Sequence, residues 1–135
     1  MKKLMSTGFS PLSFNIAMLT IRLTMGVLLM SHGYQKLVHF SEMEESFFNL
    51  GGIGSTSSLL LVIFAEFFCA LFIVIGLFTR LVSIPIIFNM IVIVFKVHQL
   101  DFFATAEKGM LFLGGFLVLL LCGPGKISID GISSK

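Results

Sequence analysis

Residues 59–78 form a run of twenty residues with one charged member, Glu66. A helix of that length matches the roughly 30 Å hydrocarbon core of a bilayer. In lipid the backbone must satisfy its own hydrogen bonds, so a helix is the conformation such a run can take. An ionised carboxylate inside it costs about 3 kcal/mol or more. Glu66 must therefore be partnered, protonated or facing a polar cavity. An intramembrane acid of this kind is a functional-site hypothesis by default. The competing reading is an ion pair that fixes helix packing.

Three further apolar stretches, 16–35, 81–98 and 103–122, are long enough to cross a bilayer as helices. They are too continuous for barrel strands, which alternate over about ten residues. The chain is 56% hydrophobic and 12% charged, with mean hydropathy +1.04; a soluble domain carries about 25% charge. The expected fold is an all-α integral membrane protein: an antiparallel bundle of four transmembrane helices, with a short amphipathic helix in the first outer loop. Residues 1–135 form one domain. Lys2-Lys3 give the first span a basic start, but no A-x-A-like cleavage site follows it, so it reads as a retained span.

Lysine and arginine set the orientation. With the N-terminus inside, Lys2, Lys3, Arg80, Lys126 and Lys135 are inside and Lys36, Lys96 and Lys108 outside, five against three. The expected location is a bacterial-type inner membrane with both termini cytoplasmic. A net charge of +2, with no basic run beyond Lys2-Lys3, gives no case for a nucleic-acid partner or a polybasic lipid-binding arm.

The connections carry their own signals. In the 39–58 loop, Ser41 reads as a helix cap with Glu44 three residues on. Phe47, Phe48 and Leu50 supply an apolar face, and Gly51-Gly52-Ile53-Gly54-Ser55 ends the helix. Spans two and three are joined by little more than Thr79-Arg80 and should be antiparallel neighbours. Pro85 falls near the start of span three, where it costs little, and Asn89 near its middle. Gly26 and Gly114-Gly115 allow close helix approach. Gly123-Pro124-Gly125 stops the fourth span.

Polar residues from all four spans fall toward the outer half. Glu66 is about 10 Å deep, counting 1.5 Å per residue. His32, Gln35 and Lys36 lie at the outer end of span one, and His32 and Lys36, four apart, share a face. Lys96 and His98 close span three, and Glu107 and Lys108 open span four. Glu66, His32, Lys36, Gln35, Glu107, His98 and Lys96 are thus the candidates for a ligand pocket or proton exchange. Arg22 stands alone about 9 Å from the inner surface; it either snorkels inward or reaches toward Glu66. Arg22 and Arg80 are candidates for structural ion pairs.

This convergence has three readings. The charges lock helix packing; or they line a pocket open to the outer leaflet; or they mark a proton or solute pathway. A pocket would suit a quinone head group, which needs donors such as His32 or Lys36 beside apolar walls. A pathway needs polar residues through the full thickness, and the inner half offers only Arg22 and Asn89. No metal site is indicated: no two of His32, His39 and His98 share a helix at i,i+3 or i,i+4 spacing. Cys69 and Cys122 read as small buried hydrophobes. No nucleotide, hydrolase or metalloprotease motif is present, so no catalytic residue and no tightly bound cofactor is assigned.

Several elements together resemble the DoxX family of small four-span membrane proteins. Span one carries Ile21-Arg22-Leu23, Gly26 and then His32-Gly33-Tyr34-Gln35-Lys36-Leu37, similar to that family's H-G-x-Q-K element. The loop has Phe47-Phe48-Asn49-Leu50-Gly51, and span two has Ala65-Glu66 and ends in Gly76-Leu77-Phe78-Thr79-Arg80, like G-x-x-T-R. Glu107 stands where the family tends to have a glutamate. Gly123-Pro124-Gly125-Lys126-Ile127-Ser128-Ile129-Asp130 resembles G-P-G-[KR]-x-S-[IL]-D. One departure is Gly51-Gly52-Ile53-Gly54, where many members have a proline. The resemblance implies the four-span fold, with a membrane or periplasmic protein partner in redox or envelope chemistry. The family's name comes from a subunit linked to thiosulfate:quinone oxidoreduction, and other members are associated with thiol and oxidative-stress systems. It implies an accessory subunit rather than an enzyme acting alone, and leaves oligomerisation open.

Overall fold

The structure, a computed structural model, describes residues 7–97 and 106–134, and every regular element among them is helical. Helix α1 spans Pro11–Val38. It begins five residues before the expected span because Ser10 caps it, accepting from Ser13 N at 3.1 Å, with Pro11 at the first helical position. A helical turn, α2, covers Phe40–Met43. The second long helix runs Ser55–Ile75 in three parts: α3 (Ser55–Ile63), a wide π-helical stretch π1 (Phe64–Cys69) and α4 (Ala70–Ile75). The third comprises α5 (Thr79–Val92) and a second π stretch, π2 (Ile93–Val97). Then come α6 (Glu107–Cys122) and the short α7 (Ile129–Ser133).

Three helices, Pro11–Val38, Ser55–Ile75 and Thr79–Lys96, are long and apolar enough to cross a membrane. Less than half of each is buried against the rest of the protein. Leu60, Phe68, Phe72, Ile84 and Leu121 all face outward. Helices apolar all round belong in lipid, so this is a membrane protein in contact with the bilayer. The α6 helix has 16 residues, about 24 Å at 1.5 Å per residue. It packs along α5 and against α1.

The core is drawn from all four long helices: Leu29, Cys69, Ala70, Ile73, Ile86, Met90, Phe116 and Leu119. Close approach of α1 to the second helix depends on two glycines. A Cβ on Gly26 would lie 2.8 Å from Val74 Cγ2, and one on Gly33 would lie 2.5 Å from the Phe67 amide nitrogen. Gly115 meets Met25, as a packing glycine should, whereas a Cβ on Gly114 would meet nothing within 4 Å. Gly114 thus takes no part in the close approach expected of it.

The 39–58 loop also departs from expectation. Its helix is confined to Phe40–Met43, with His39 at the capping position and no side-chain cap, so Ser41 is inside it. Phe47, Phe48 and Leu50 follow in irregular chain. Ser58 Oγ accepts from Leu50 N at 2.8 Å and Asn49 Oδ1 accepts from Gly54 N at 3.0 Å. These bonds pull the segment down onto α3 as a loop. Pro85 is seven residues into α5, inside the helix rather than near its start; there it removes one i→i−4 bond.

A network at the other end joins the chain termini to the turn between α4 and α5. Gly76 closes α4 in the left-handed region (φ 73°), its amide on Phe72 O at 2.9 Å. Asp130 then caps α5: its Oδ1 accepts from Phe78 N and its Oδ2 from Thr79 N, each at 2.8 Å. Asp130 N donates to Gly76 O at 2.9 Å. Arg22 Nη1 donates to Pro124 O at 3.0 Å, Arg80 Nη2 to Leu121 O at 3.2 Å, and Lys126 N to Asn15 Oδ1 at 2.7 Å. We call this the tail end, and the end bearing the 39–58 loop the loop end.

Candidate functional site

Glu66 is 2% exposed and lies in π1. Its Oε2 is paired with Lys36 Nζ, and its Oε1 accepts from Asn89 Nδ2 at 3.1 Å. Among the described residues this is the one ion pair. Three helices thus meet on one carboxylate. A hydrogen bond to a charged group contributes about 1.5–3 kcal/mol, and a buried carboxylate stripped of its partner costs about 3–5 kcal/mol. The arrangement leaves both oxygens of the Glu66 carboxyl partnered.

Local geometry explains how it forms. At Gly33 the α1 backbone presses on the π1 backbone: a Cβ there would meet Glu66 C at 2.6 Å and Glu66 O at 2.9 Å. Lys36, three residues on, shares that face and projects over the wide π turn. π turns recur at functional sites, where the extra residue re-aims side chains. Asn89 arrives through the α4–α5 hairpin. Glu66 lies ten residues before Gly76 and Asn89 ten residues after Thr79, so antiparallel packing sets them level.

Cavities open on both sides of this triad. One, about 440 Å³, lies between α1, π1, π2 and α6 and is lined by His32, Lys36, Glu66, Glu107, Lys108 and Phe112, among others. His32 meets the ring of Phe112 edge-on, centroids 6.0 Å apart. The other, about 600 Å³, lies under the loop and is mostly apolar; Phe47, Leu61, Val62, Phe64 and Phe88 contribute its walls, and Lys36 and Asn89 its polar floor. Lys36 borders both cavities and is about one quarter exposed at its side chain. Volumes of this order, apolar with a few convergent polar groups, are what small-ligand sites present.

Of the residues singled out by sequence, Glu66, His32, Lys36 and Glu107 therefore come together. Gln35 does not: its side chain is exposed, and its carbonyl accepts from the amide and ring of His39. Lys96 is exposed on π2 outside both cavities. His98 lies outside the described residues. Arg22 is buried at the tail end, bonded to Pro124 O rather than reaching toward Glu66, and Arg80 bonds a main-chain carbonyl. Neither forms an ion pair within the described residues.

The sequence reading missed two residues. Asn89, which the sequence puts in the inner half of span three, is brought by the hairpin to Glu66 as its second partner. Asp130 was noticed only within a motif, and its carboxylate holds the α4–α5 turn.

The DoxX family model matches residues 17–99, more than half of the chain. The chain belongs to the DoxX family. The match takes in the H-G-Y-Q-K stretch, Glu66 and Asn89, so the whole triad lies inside the family region. Comparison with curated proteins and with solved structures gave no match.

Proposed function

We propose that this DoxX protein is a four-span inner-membrane protein with both termini cytoplasmic. It serves as an accessory subunit of a redox or envelope complex and holds a quinone-like amphiphile at its outer end. The observation that carries this reading is the Lys36–Glu66–Asn89 triad at the wall between two cavities. Lys36 and Asn89 offer N–H donors to a carbonyl-bearing head group in the apolar cavity, and the phenylalanines beside it suit a hydrophobic body. On the other side, Glu66 shares a cavity with His32 and Glu107, groups able to pass a proton. The fourth span is α6, whose 16 residues reach about 24 Å. The positive-inside count supports a loop end that faces outward.

The test is a titration of the protein in lipid nanodiscs with a short-chain benzoquinone, followed by fluorescence quenching or calorimetry. Wild type should bind saturably. Val62→Phe, which fills the apolar cavity, should weaken binding at least tenfold. Glu66→Gln should weaken it and lower the melting temperature, since it drops the Lys36 ion pair. Non-saturable partitioning, unchanged by Val62→Phe, would refute the pocket and leave the triad a packing device.

A further inference from the structure

The tail end holds a larger open cavity of about 810 Å³ between the start of α1, the start of α5 and the returning chain of residues 122–131. Its lining combines unused donors with exposed apolar side chains. The first N–H groups of an α-helix have no partner within the helix. In α5, Asp130 takes those of Phe78 and Thr79, and those of Arg80 and Leu81 have no acceptor among the described residues. Thr79 lines the cavity, is fully buried, and its hydroxyl has no partner. Arg80 gives one bond to Leu121 O and keeps the rest of its donor fork unused by the protein. The Lys126 side chain lines the same cavity, exposed and unpaired among the described residues.

The charge balance favours an anion. Arg80 and Lys126 face one carboxylate, Asp130, both of whose oxygens are already held by amides at 2.8 Å. Arg22, directly behind the turn, interacts electrostatically with that carboxylate. The positive end of the α5 dipole adds to the field. The apolar rim then says what kind of anion. Phe9, Phe78 and Leu81 are 77%, 60% and 65% exposed, beside the cations and at the ends of membrane-crossing helices. A soluble phosphate has no use for such a rim, whereas a lipid does.

We propose that this cavity seats one anionic phospholipid. Its phosphate lies on Arg80, Lys126 and the first turn of α5, and its chains run past Leu81 and Phe78 into the bilayer. Basic pockets between helix ends are known binders of such head groups.

The experiment is native mass spectrometry of the full chain released from detergent. It is titrated with phosphatidylglycerol, with phosphatidylcholine of the same acyl chains, or with inorganic phosphate. One phosphatidylglycerol should be retained per chain in preference to phosphatidylcholine, and millimolar phosphate should not displace it. Lys126→Gln, whose side chain makes no bond in the fold, should weaken phosphatidylglycerol about fivefold and leave phosphatidylcholine unchanged. Arg80→Gln should do the same with some loss of stability, since it also drops the Leu121 bond. Equal retention of the two lipids, or no effect of Lys126→Gln, would overturn the proposal. Displacement by phosphate would overturn it in favour of a soluble-anion site.

Discussion

Replacing Gly33 by alanine adds one methyl group where α1 meets the π turn carrying Glu66. That Cβ would lie 2.5 Å from Phe67 N, 2.6 Å from Glu66 C and 2.9 Å from Glu66 O. Ordinary contact begins near 3.5 Å, so the helices must part by about 1 Å. All three neighbours are backbone, and no rotamer change relieves them. Overpacking of this kind costs up to about 3 kcal/mol. The gain from alanine over glycine in a helix offsets about 1 kcal/mol of that, leaving a net loss of about 2. Gly114→Ala is the internal control, because its Cβ meets nothing within 4 Å. It should stabilise by about 1 kcal/mol through helix propensity alone. Thermal unfolding of the two variants in one detergent should separate them by about 12 °C, at about 4 °C per kcal/mol. Equal melting temperatures would refute the tight α1–π1 crossing, and with it the placement of Lys36 over Glu66.

Two other perturbations test the charged networks. Lys36→Met leaves the Glu66 carboxylate buried without its cation and should cost about 3–5 kcal/mol. Adding Glu66→Gln should recover more than about 1 kcal/mol of it, and strictly additive melting shifts across the four proteins would show that the two residues do not interact. At the tail end, Asp130→Ala removes the acceptor for two amides and should cost about 1–2 kcal/mol, with Asp130→Asn milder. An unchanged melting temperature for Asp130→Ala would mean the cap does not hold the α4–α5 turn.

The sequence announced the long helices and the charged centre because both follow from the low polarity of lipid. Glu66 could not stand alone in residues 59–78, although depth counting put Lys36 above it, at the outer end of span one, and left Arg22 open as its partner. Depth counting failed where it measured from an assumed span end. Asn89, counted from Leu81, fell in the wrong half; counted from the tight turn, as Glu66 also could be, it fell level. Arg22 was expected to snorkel or to reach toward Glu66, but the chain after Cys122 folds back to meet it, a long-range contact that no local pattern encodes. In place of the Ser41 cap, Ser58 and Asn49 accept bonds from Leu50 and Gly54 later in the loop. The π stretches had no local signal, since residues 64–69 contain neither glycine nor proline. Gly114 and Gly115 differ only in which side of α6 they face, and a neighbouring glycine pair carries no information on that.

The central claim is that the triad borders a ligand site under the loop. Photo-crosslinking addresses it directly: a benzoquinone bearing a photoreactive group is irradiated with the protein in nanodiscs, and the labelled peptides are sequenced. The account predicts labels on the cavity wall, at Phe47 or Val62, suppressed by excess unlabelled quinone and by Val62→Phe. Labels spread over lipid-facing side chains such as Leu60 and Phe72, with no suppression, would contradict it.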